Sequence, residues 1–489
     1  MKHIKILMLF IFSQLILAGC TKDFAEKNDD PNAITTITPN LLLPHIIRSS
    51  VTAVLNESWG TGSLLVQQTA KYQFVDEDRY IWGNKDGIWN NYYNTMRDVK
   101  KLSDLAASSN QPAYKAMALI LKSWMFSIVT DTYGDIPYSE ATSGLTDNVL
   151  KPKYDTQESI YNGILADLTT ANTILTGVNA SVSGDLIYQG DLAKWRKMAN
   201  SLRVRYLMRI SAKTDVSAKL QEIVANPAVY PLFENNTDDG DYNYYVEAPN
   251  QFPNFTNRIG GFDEVRLSKT LGDILQQYQD PRLSIFARPT SSSVTAGNPQ
   301  YVGMPNSLNP TSALNYNGGS NHISRVGSFY YENSITAAGL LVAKGYIMAF
   351  PELQFLLAEA RFKNLITTST TAQGYYEKGI ETAFIYLNTQ MPAGYLQRTG
   401  VQFSQATGLQ QIGTQKWISL FYTGMESWFE WRRTGFPVLQ AGADSQNGGK
   451  IPVRYRYPLN EQSQNADNLR AAVARQGADD INTKVWWAK

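Results

Sequence analysis

Aromatic side chains interleaved with amides and basic groups are the residues of this 489-residue chain best suited to recognition chemistry. They are concentrated in residues 72–93, where Tyr, Trp, Asn and Arg alternate and where Gly and Asn indicate turns. Flat aromatic faces bind the apolar C–H surfaces of a pyranose ring, while amides and guanidinium groups bind its hydroxyls. The segment therefore predicts a site for a sugar-like ligand. Trp89 and Tyr93 lie four residues apart, so they belong either to this site or to a helix that enters the core.

A second group of aromatic and polar residues lies in the centre of the chain. Three uses are open for it: contact with a ligand, contact with a partner protein, since Tyr, Trp and Arg are favoured at interfaces, and local packing. The group consists of Phe252, Asn254, Phe255, Asn257, Arg258, Tyr316, Tyr330 and Tyr331. Phe255 and Tyr330 are its candidates for ligand binding.

Neighbouring carboxylates suggest a different chemistry. Asp76 with Asp78, or Asp263 with Glu264, could in principle serve as acid and base in a glycosidase. That reaction needs two carboxyl groups about 5 to 10 Å apart across the bond. The sequence has neither a Gly-x-Ser-x-Gly nucleophile motif nor a Gly-Lys-Ser/Thr phosphate loop. We therefore expect a binding protein without catalytic residues, and a surface glycoside hydrolase is the less favoured alternative.

Composition excludes several other classes of protein. With 44 Lys+Arg against 43 Asp+Glu and 18% charged residues, the chain lacks the basic excess that binds nucleic acid. Cys20 is the only cysteine and there are three histidines, which excludes internal disulfides and zinc clusters. Residues 235–240 resemble the start of a calcium-binding EF-hand loop. The twelfth residue counted from Asn235 is Val246, however, where an EF-hand has Glu. We expect no metal site and no cofactor.

The N-terminus has the order of an export signal. A short basic start precedes an apolar stretch, and small residues lead into Cys20. This pattern resembles a bacterial lipoprotein signal, which implies cleavage before Cys20 and lipid attachment there; an ordinary secretory leader is the alternative. Residues 1–19 are predicted to be the signal peptide and residues 20–38 a polar, lipidated tether. Its acidic residues resemble the surface-export signal of Bacteroidota lipoproteins, although a linker facing the periplasm would look similar.

Helical periodicity dominates the chain from Pro39 onward. Apolar residues in 113–130 recur every three or four positions and predict one wide buried stripe. Asp155, within a capping box, and Asp191 are predicted N-caps of two more helices. Further helices are expected over residues 352–362, 374–388 and 415–431.

The centre of the chain has a different composition. Residues 230–334 are rich in Pro, Asn and Gly and show little periodicity, which predicts loops and short elements. Long ordered loops on a rigid scaffold commonly carry binding sites. We therefore predict a single domain over residues 39–489 that contains this loop-rich insertion.

Five segments, in order, point to a known family. Together with the N-terminal signal they resemble the SusD/RagB family of outer-membrane nutrient-binding lipoproteins over essentially the whole mature chain. The segments are Asp131–Ala141 (DTYGDIPYSEA), Trp195–Tyr206 (WRKMANSLRVRY), Pro351–Ala360 (PELQFLLAEA), Gln415–Pro437 and Arg456–Glu461 (RYPLNE).

The resemblance implies a mainly α fold in which tetratricopeptide-like helix pairs form a scaffold for a large loop-rich part with few short strands. It also implies a lipid-anchored protein on the outer surface of the outer membrane. Such proteins cap a TonB-dependent transporter of the SusC type and deliver oligosaccharides to it or, in the RagB branch, peptides. The family segments themselves are expected to serve the scaffold.

The resemblance also narrows the ligand-binding candidates. In starch-binding members the binding loop lies in the corresponding N-terminal region and offers Trp, Arg and Asn. By region and residue type, this favours Arg79, Trp82 and Asn84, with Tyr80 and Trp89 beside them.

Overall fold

The computed structural model describes residues 37–489 except 145–147, 246–249, 259–260, 332–333, 337–338 and 342. Two units are distinguished, residues 1–38 and residues 39–489, and the second is compact. The predicted signal peptide, Cys20 and most of the predicted tether lie outside the described residues. Within the described part, no helix has the length and apolar character needed to cross a membrane.

Helices form most of the regular structure, and those of nine or more residues are numbered here in chain order. They are α1 (Pro39–Glu57), α2 (Gly87–Ser108), α3 (Pro112–Tyr133), α4 (Gln157–Thr176), α5 (Leu192–Ile210), α6 (Ser217–Ala225), α7 (Lys269–Gln277), α8 (Phe350–Phe362), α9 (Ala372–Tyr386), α10 (Gly408–Ser419), α11 (Glu426–Thr434) and α12 (Ala466–Gln476). Shorter α-helices cover Ser63–Leu65, Leu283–Phe286, Ser291–Thr295, Pro310–Asn315 and Leu459–Gln464.

The strands are short and pair antiparallel, two by two. The pairs are β1 (Thr69–Lys71) with β5 (Val265–Leu267), β2 (Ile136–Pro137) with β3 (Tyr154–Asp155), β4 (Gly240–Asn243) with β8 (Lys344–Met348), and β6 (Ser334–Thr336) with β7 (Gly339–Leu341). In the first pair Thr69 lies opposite Leu267, so the segment before residue 72 is fixed to the central region of the chain.

Successive helices pack on one another. The helix α3 contacts both α2 and α4, α4 contacts α5, and α8 contacts α9 and α10. From Ser123 to Tyr133 every side chain of α3 is buried, so this helix passes through the core and is not merely half-covered. The mainly α prediction with few short strands is confirmed.

Of the two predicted N-caps, one is confirmed and one is wrong. Asp191 caps α5, because its side chain accepts from Ala193 N at 3.0 Å and Lys194 N at 3.1 Å. The cap of α4 is Thr156, which accepts from Ser159 N at 3.2 Å, and not Asp155. The Asp155 carboxylate faces the other way and accepts from Ser139 N at 2.7 Å.

The helix predicted over residues 415–431 is interrupted. The chain forms α10, leaves helical geometry at Tyr422 (φ 56°) and Gly424 (φ 109°), and then begins α11. Both residues adopt the left-handed backbone that ends helices. The helices predicted over residues 352–362 and 374–388 are present as α8 and α9, each beginning two residues earlier.

A buried cluster of charges joins two of the family segments, Asp131–Ala141 and Gln415–Pro437, through Arg209. The Arg209 guanidinium, 0% exposed, lies 3.3 Å from Asp131 and 3.0 Å from Glu430, and also contacts Glu426. Asp131 accepts in addition from Trp487 Nε1 at 2.6 Å. These contacts give the Asp131–Ala141 segment the scaffold role expected for it.

Candidate ligand-binding site

The loop that follows β1 is held by a buried carboxylate. Asp78 is 1% exposed and accepts from Lys71 N at 3.2 Å, Ser307 N at 3.0 Å and Asn306 Nδ2 at 2.8 Å. Burial raises the pKa of Asp78 to about 6, although the three donors and the Lys71 charge oppose the shift. Asp78 thereby connects the loop to residues more than 220 positions later in the chain.

The backbone of this loop is unusual. Phe74 has a φ of 51° and is 75% exposed, whereas Tyr80 has a φ of 66° and is 3% exposed. Left-handed backbone is uncommon for bulky residues and persists where surrounding contacts impose it. Here the Arg79 carbonyl accepts from Gln446 N at 2.8 Å, so a distant segment fixes the end of the loop.

Trp82 follows directly and forms one wall of a cleft. Its ring is half-buried, its Nε1 donates to the Glu77 carbonyl at 3.1 Å, and its edge packs on Tyr455 at a centroid distance of 5.3 Å. The Lys85 ammonium lies 5.5 Å from the ring centroid. The indole is therefore fixed in orientation while part of it remains accessible.

The cleft beside Trp82 has a volume of about 430 Å³. It is lined by Trp82, Gly83, Asn84, Lys85, Tyr455, Arg456, Tyr457, Leu459, Gln462, Asp479 and Ile481. The opposite wall thus comes from the extended chain before the helix Leu459–Gln464 and from the turn after α12. Aromatic faces and several polar side chains meet in one concave surface, as in small-molecule binding sites.

Two polar side chains of the cleft, those of Asn84 and Arg456, are exposed to solvent. Asn84 donates to the Asp86 carboxylate. Burial raises the pKa of Asp86, and the hydrogen bond from Asn84 opposes part of that shift. Arg456 is exposed, and one of its nitrogens lies 3.4 Å from the Trp82 carbonyl, which connects the two walls. An indole, an amide and a guanidinium at one cleft can recognise a ring with an apolar face and hydroxyl edges.

Comparison with known proteins assigns the chain to a family. A family model described as SusD-like, starch-binding and associating with the outer membrane matches residues 31–458. The chain belongs to the SusD-like family. Among curated proteins, none matches it.

Solved structures support the same assignment. This SusD-like protein is similar to a SusD homologue from Bacteroides fragilis, with 29% identity, a TM-score of 0.80 and coverage of 93% of this chain and 100% of that chain. A candidate nutrient-binding outer membrane protein from Bacteroides vulgatus has 27% identity and the same TM-score and coverage. A chitin-binding protein has 28% identity and a TM-score of 0.78, with coverage of 92% of this chain and 100% of that chain.

The structure removes three predicted residues from the candidate site of the SusD-like protein. Trp89 is 6% exposed and packs on Tyr133 at 5.2 Å, so it belongs to the core and not to the ligand surface. Tyr80 and Tyr330 are each 3% exposed, and Tyr330 packs among buried aromatic rings. Their faces are covered by protein, which corrects their prediction as ligand contacts.

Arg79 does not share the cleft of Trp82 and Asn84. Its Nε donates to the Asp444 carbonyl at 3.2 Å, and its side chain is 16% exposed. Arg79 does not line the cleft and bonds the segment around residue 444, so this cleft does not support its contact with a sugar, which stays a prediction. Trp82 and Asn84 stay predicted ligand contacts.

The central group of candidates is dispersed. Phe255 is half-buried, while Phe252 and Tyr331 are buried at 5% and 2% exposure. The side chains of Asn257 and Arg258 and the backbone of Val246 lie outside the described part. Phe255 stays a prediction, in a region apart from the Trp82 cleft.

Sequence reasoning missed the second wall of the cleft. Arg456, Tyr457 and Leu459 belong to the RYPLNE segment, which was expected to serve only the scaffold. The available signal was Arg456, a charged residue between Tyr455 and Tyr457, since Arg is seldom buried without a partner. Tyr457 also has the expected scaffold role, because its hydroxyl donates to the Asp135 carbonyl at 2.6 Å.

Proposed function

We propose that this SusD-like protein is a binding protein of the cell surface that captures oligosaccharides. The observation that carries the proposal is the Trp82 cleft, in which a fixed, half-buried indole lies beside Asn84 and across from Arg456. A relative that is described as chitin-binding shares 28% identity over 92% of the chain, which supports a carbohydrate ligand.

We propose further that capture is not followed by cleavage. The carboxylates considered for a glycosidase do not form accessible pairs. Asp78 is buried in the loop anchor, which leaves the exposed Asp76 without it. Glu264 lies 3.0 Å from Lys71 and Asp263 lies 2.5 Å from Arg325. A glycosidase needs an accessible pair of carboxyl groups on either side of the bond.

The test of the function is a binding panel with matched variants. By calorimetry, the protein should bind at least one neutral oligosaccharide, and Trp82→Ala should weaken that binding about tenfold, because stacking and the shape of the cleft are lost together. Trp82→Phe should recover part of the affinity.

Trp431→Ala is the matched control, since Trp431 is also half-buried but lies outside the cleft. It should lower the melting temperature without changing affinity. Equal affinity in wild type and Trp82→Ala would remove the cleft from the proposal. Binding of peptides in place of sugars would favour the RagB-like alternative.

The location and the partner are part of the proposal. We propose that Cys20 carries the lipid anchor and that the protein sits on the outer surface of the outer membrane, against a SusC-type TonB-dependent transporter. The family description, which includes association with the outer membrane, supports this location.

Replacing Cys20 by Ala should release an affinity-tagged protein from the membrane fraction, because the site of acylation is lost. After gentle detergent extraction, the tagged wild-type protein should retain a large transporter, since stable interfaces bury on the order of 1,200 to 2,000 Å². Mass spectrometry of both fractions provides the measurement. Acylated Cys20→Ala protein would contradict the anchor, and wild-type protein without a transporter in several detergents would contradict the partner.

A further inference from the structure

A second concave surface lies between α1 and the segment that follows β4. Its volume is about 580 Å³, and it shares no lining residue with the Trp82 cleft. We call it the α1 cleft. Its lining residues are Arg48, Ser49, Thr52, Ala53, Asn56, Asn91, Tyr244, Asn250, Gln251, Phe252, Pro253 and Thr256.

The walls of the α1 cleft are joined by hydrogen bonds between distant parts of the chain. Arg48 Nη1 donates to Asn250 Oδ1 at 2.7 Å, and the hydroxyls of Thr52 and Tyr244 lie 2.9 Å apart. Arg48, Thr52 and Asn56 recur every fourth residue and so lie on one face of α1. The cleft is therefore a surface built by defined contacts between two segments about 200 residues apart.

The chemistry of the α1 cleft is almost entirely uncharged. Its lining contains amides and hydroxyls but no carboxylate, and its one charged group, Arg48, already bonds an amide oxygen. Asn56 is exposed, and its side-chain amide makes no hydrogen bond within the described residues. The side chain of Asn91 uses only its Nδ2, on the Gly87 carbonyl at 2.8 Å. Amide groups facing solvent are thus free to bind a ligand rich in hydroxyls or amides.

Aromatic groups complete the α1 cleft. Tyr244 packs its ring edge-to-face against the buried Phe252 at 5.4 Å, so the floor is rigid. The backbone N of the next residue, Tyr245, donates to the Asn250 carbonyl at 2.7 Å, which fixes the position of Asn250 in the cleft wall. The α1 cleft therefore has a fixed aromatic floor beside uncharged amide and hydroxyl groups.

We propose that the α1 cleft is a second binding site for neutral saccharides, separate from the Trp82 cleft. The ligand class rests on the proposed function, whereas the position rests on the α1 cleft itself. Two sites on one chain would hold a long glycan at two points and increase its retention through effective concentration.

The experiment uses the full chain with maltoheptaose and chitohexaose as probes in isothermal titration calorimetry. For the probe that binds, the wild type should show two sites, and the double variant Asn56→Ala/Asn91→Ala should lose one of them or weaken it about tenfold. In Trp82→Ala the site in the α1 cleft should persist with unchanged affinity.

Asn90→Ala is the matched control, because Asn90 is an exposed amide on the same helix as Asn91 but outside the α1 cleft. It should bind as the wild type does. A single wild-type site that disappears in Trp82→Ala and is unchanged in Asn56→Ala/Asn91→Ala would overturn the α1 cleft while leaving the proposed function intact. No binding of either probe or of any other neutral oligosaccharide would overturn both.

Discussion

Replacing Arg209 by Met is expected to lower the free energy of unfolding by about 3 to 5 kcal/mol. The Arg209 guanidinium is fully buried among Asp131, Glu426 and Glu430. Met fills a similar volume but removes the cation shared by the buried Asp131 and Glu430 and the partly buried Glu426. Because an uncompensated buried charge is far more costly than the loss of a surface ion pair, this substitution should be among the most damaging in the chain.

Urea unfolding at pH 7 measures this loss, and Arg470→Met provides the control. Among the described residues, Arg470 forms an ion pair only with Asp467. Its side chain is 75% exposed, so its removal should change stability by no more than about 0.5 kcal/mol. At temperatures where both variants are folded, oligosaccharide affinity should match the wild type, since Arg209 lines neither cleft. A loss below about 1 kcal/mol for Arg209→Met would contradict the structural role of the cluster.

The helices could be predicted from the sequence where the signal was local. The stripe in α3 and the cap at Asp191 depend on neighbours within a few residues, and both are present. The break between α10 and α11 depends on left-handed backbone at Tyr422, a residue with no intrinsic preference for it. Packing imposes that conformation, so the pattern of residue types did not indicate it.

The candidate site was harder to predict because its walls come from distant parts of the chain. Trp82 and Trp89 lie seven residues apart in similar surroundings, yet only Trp82 reaches a cleft. Trp89 is covered by Tyr133 and by Tyr457, which is far along the sequence. Sequence composition identified the segment correctly as rich in aromatic and polar groups, but the exposure of each ring was set by tertiary contacts.

The same long-range contacts position the loop that carries Trp82. Asp78 accepts hydrogen bonds from Lys71 in β1 and from Asn306 and Ser307, while Arg79 donates to the Asp444 carbonyl. Asp78 itself does not line the cleft. It is therefore a positioning residue, and its loss should affect stability and binding together.

Replacing Asp78 by Ala is expected to cost about 3 kcal/mol of stability at pH 5, because three buried donors lose their acceptor at about 1 kcal/mol or more each. Oligosaccharide binding at the Trp82 cleft should weaken at least tenfold, since the loop is no longer fixed. Urea unfolding and calorimetry measure the two effects. The control is Asp76→Ala in the same loop: the Asp76 side chain is 69% exposed, and its loss should change stability by no more than about 0.5 kcal/mol.

The stability cost of Asp78→Ala should also depend on pH, with a sign set by the pKa of Asp78. Burial raises that pKa from 3.8 to about 6, so the folded protein binds the proton more tightly than the unfolded chain does. The resulting stabilisation is fully present below about pH 4 and is lost as the pH rises through about 6. Asp78→Ala should therefore cost less at pH 7.5 than at pH 5. A cost that increased over this range would show that the three donors hold the carboxylate in its charged form and that its pKa lies below the ordinary value.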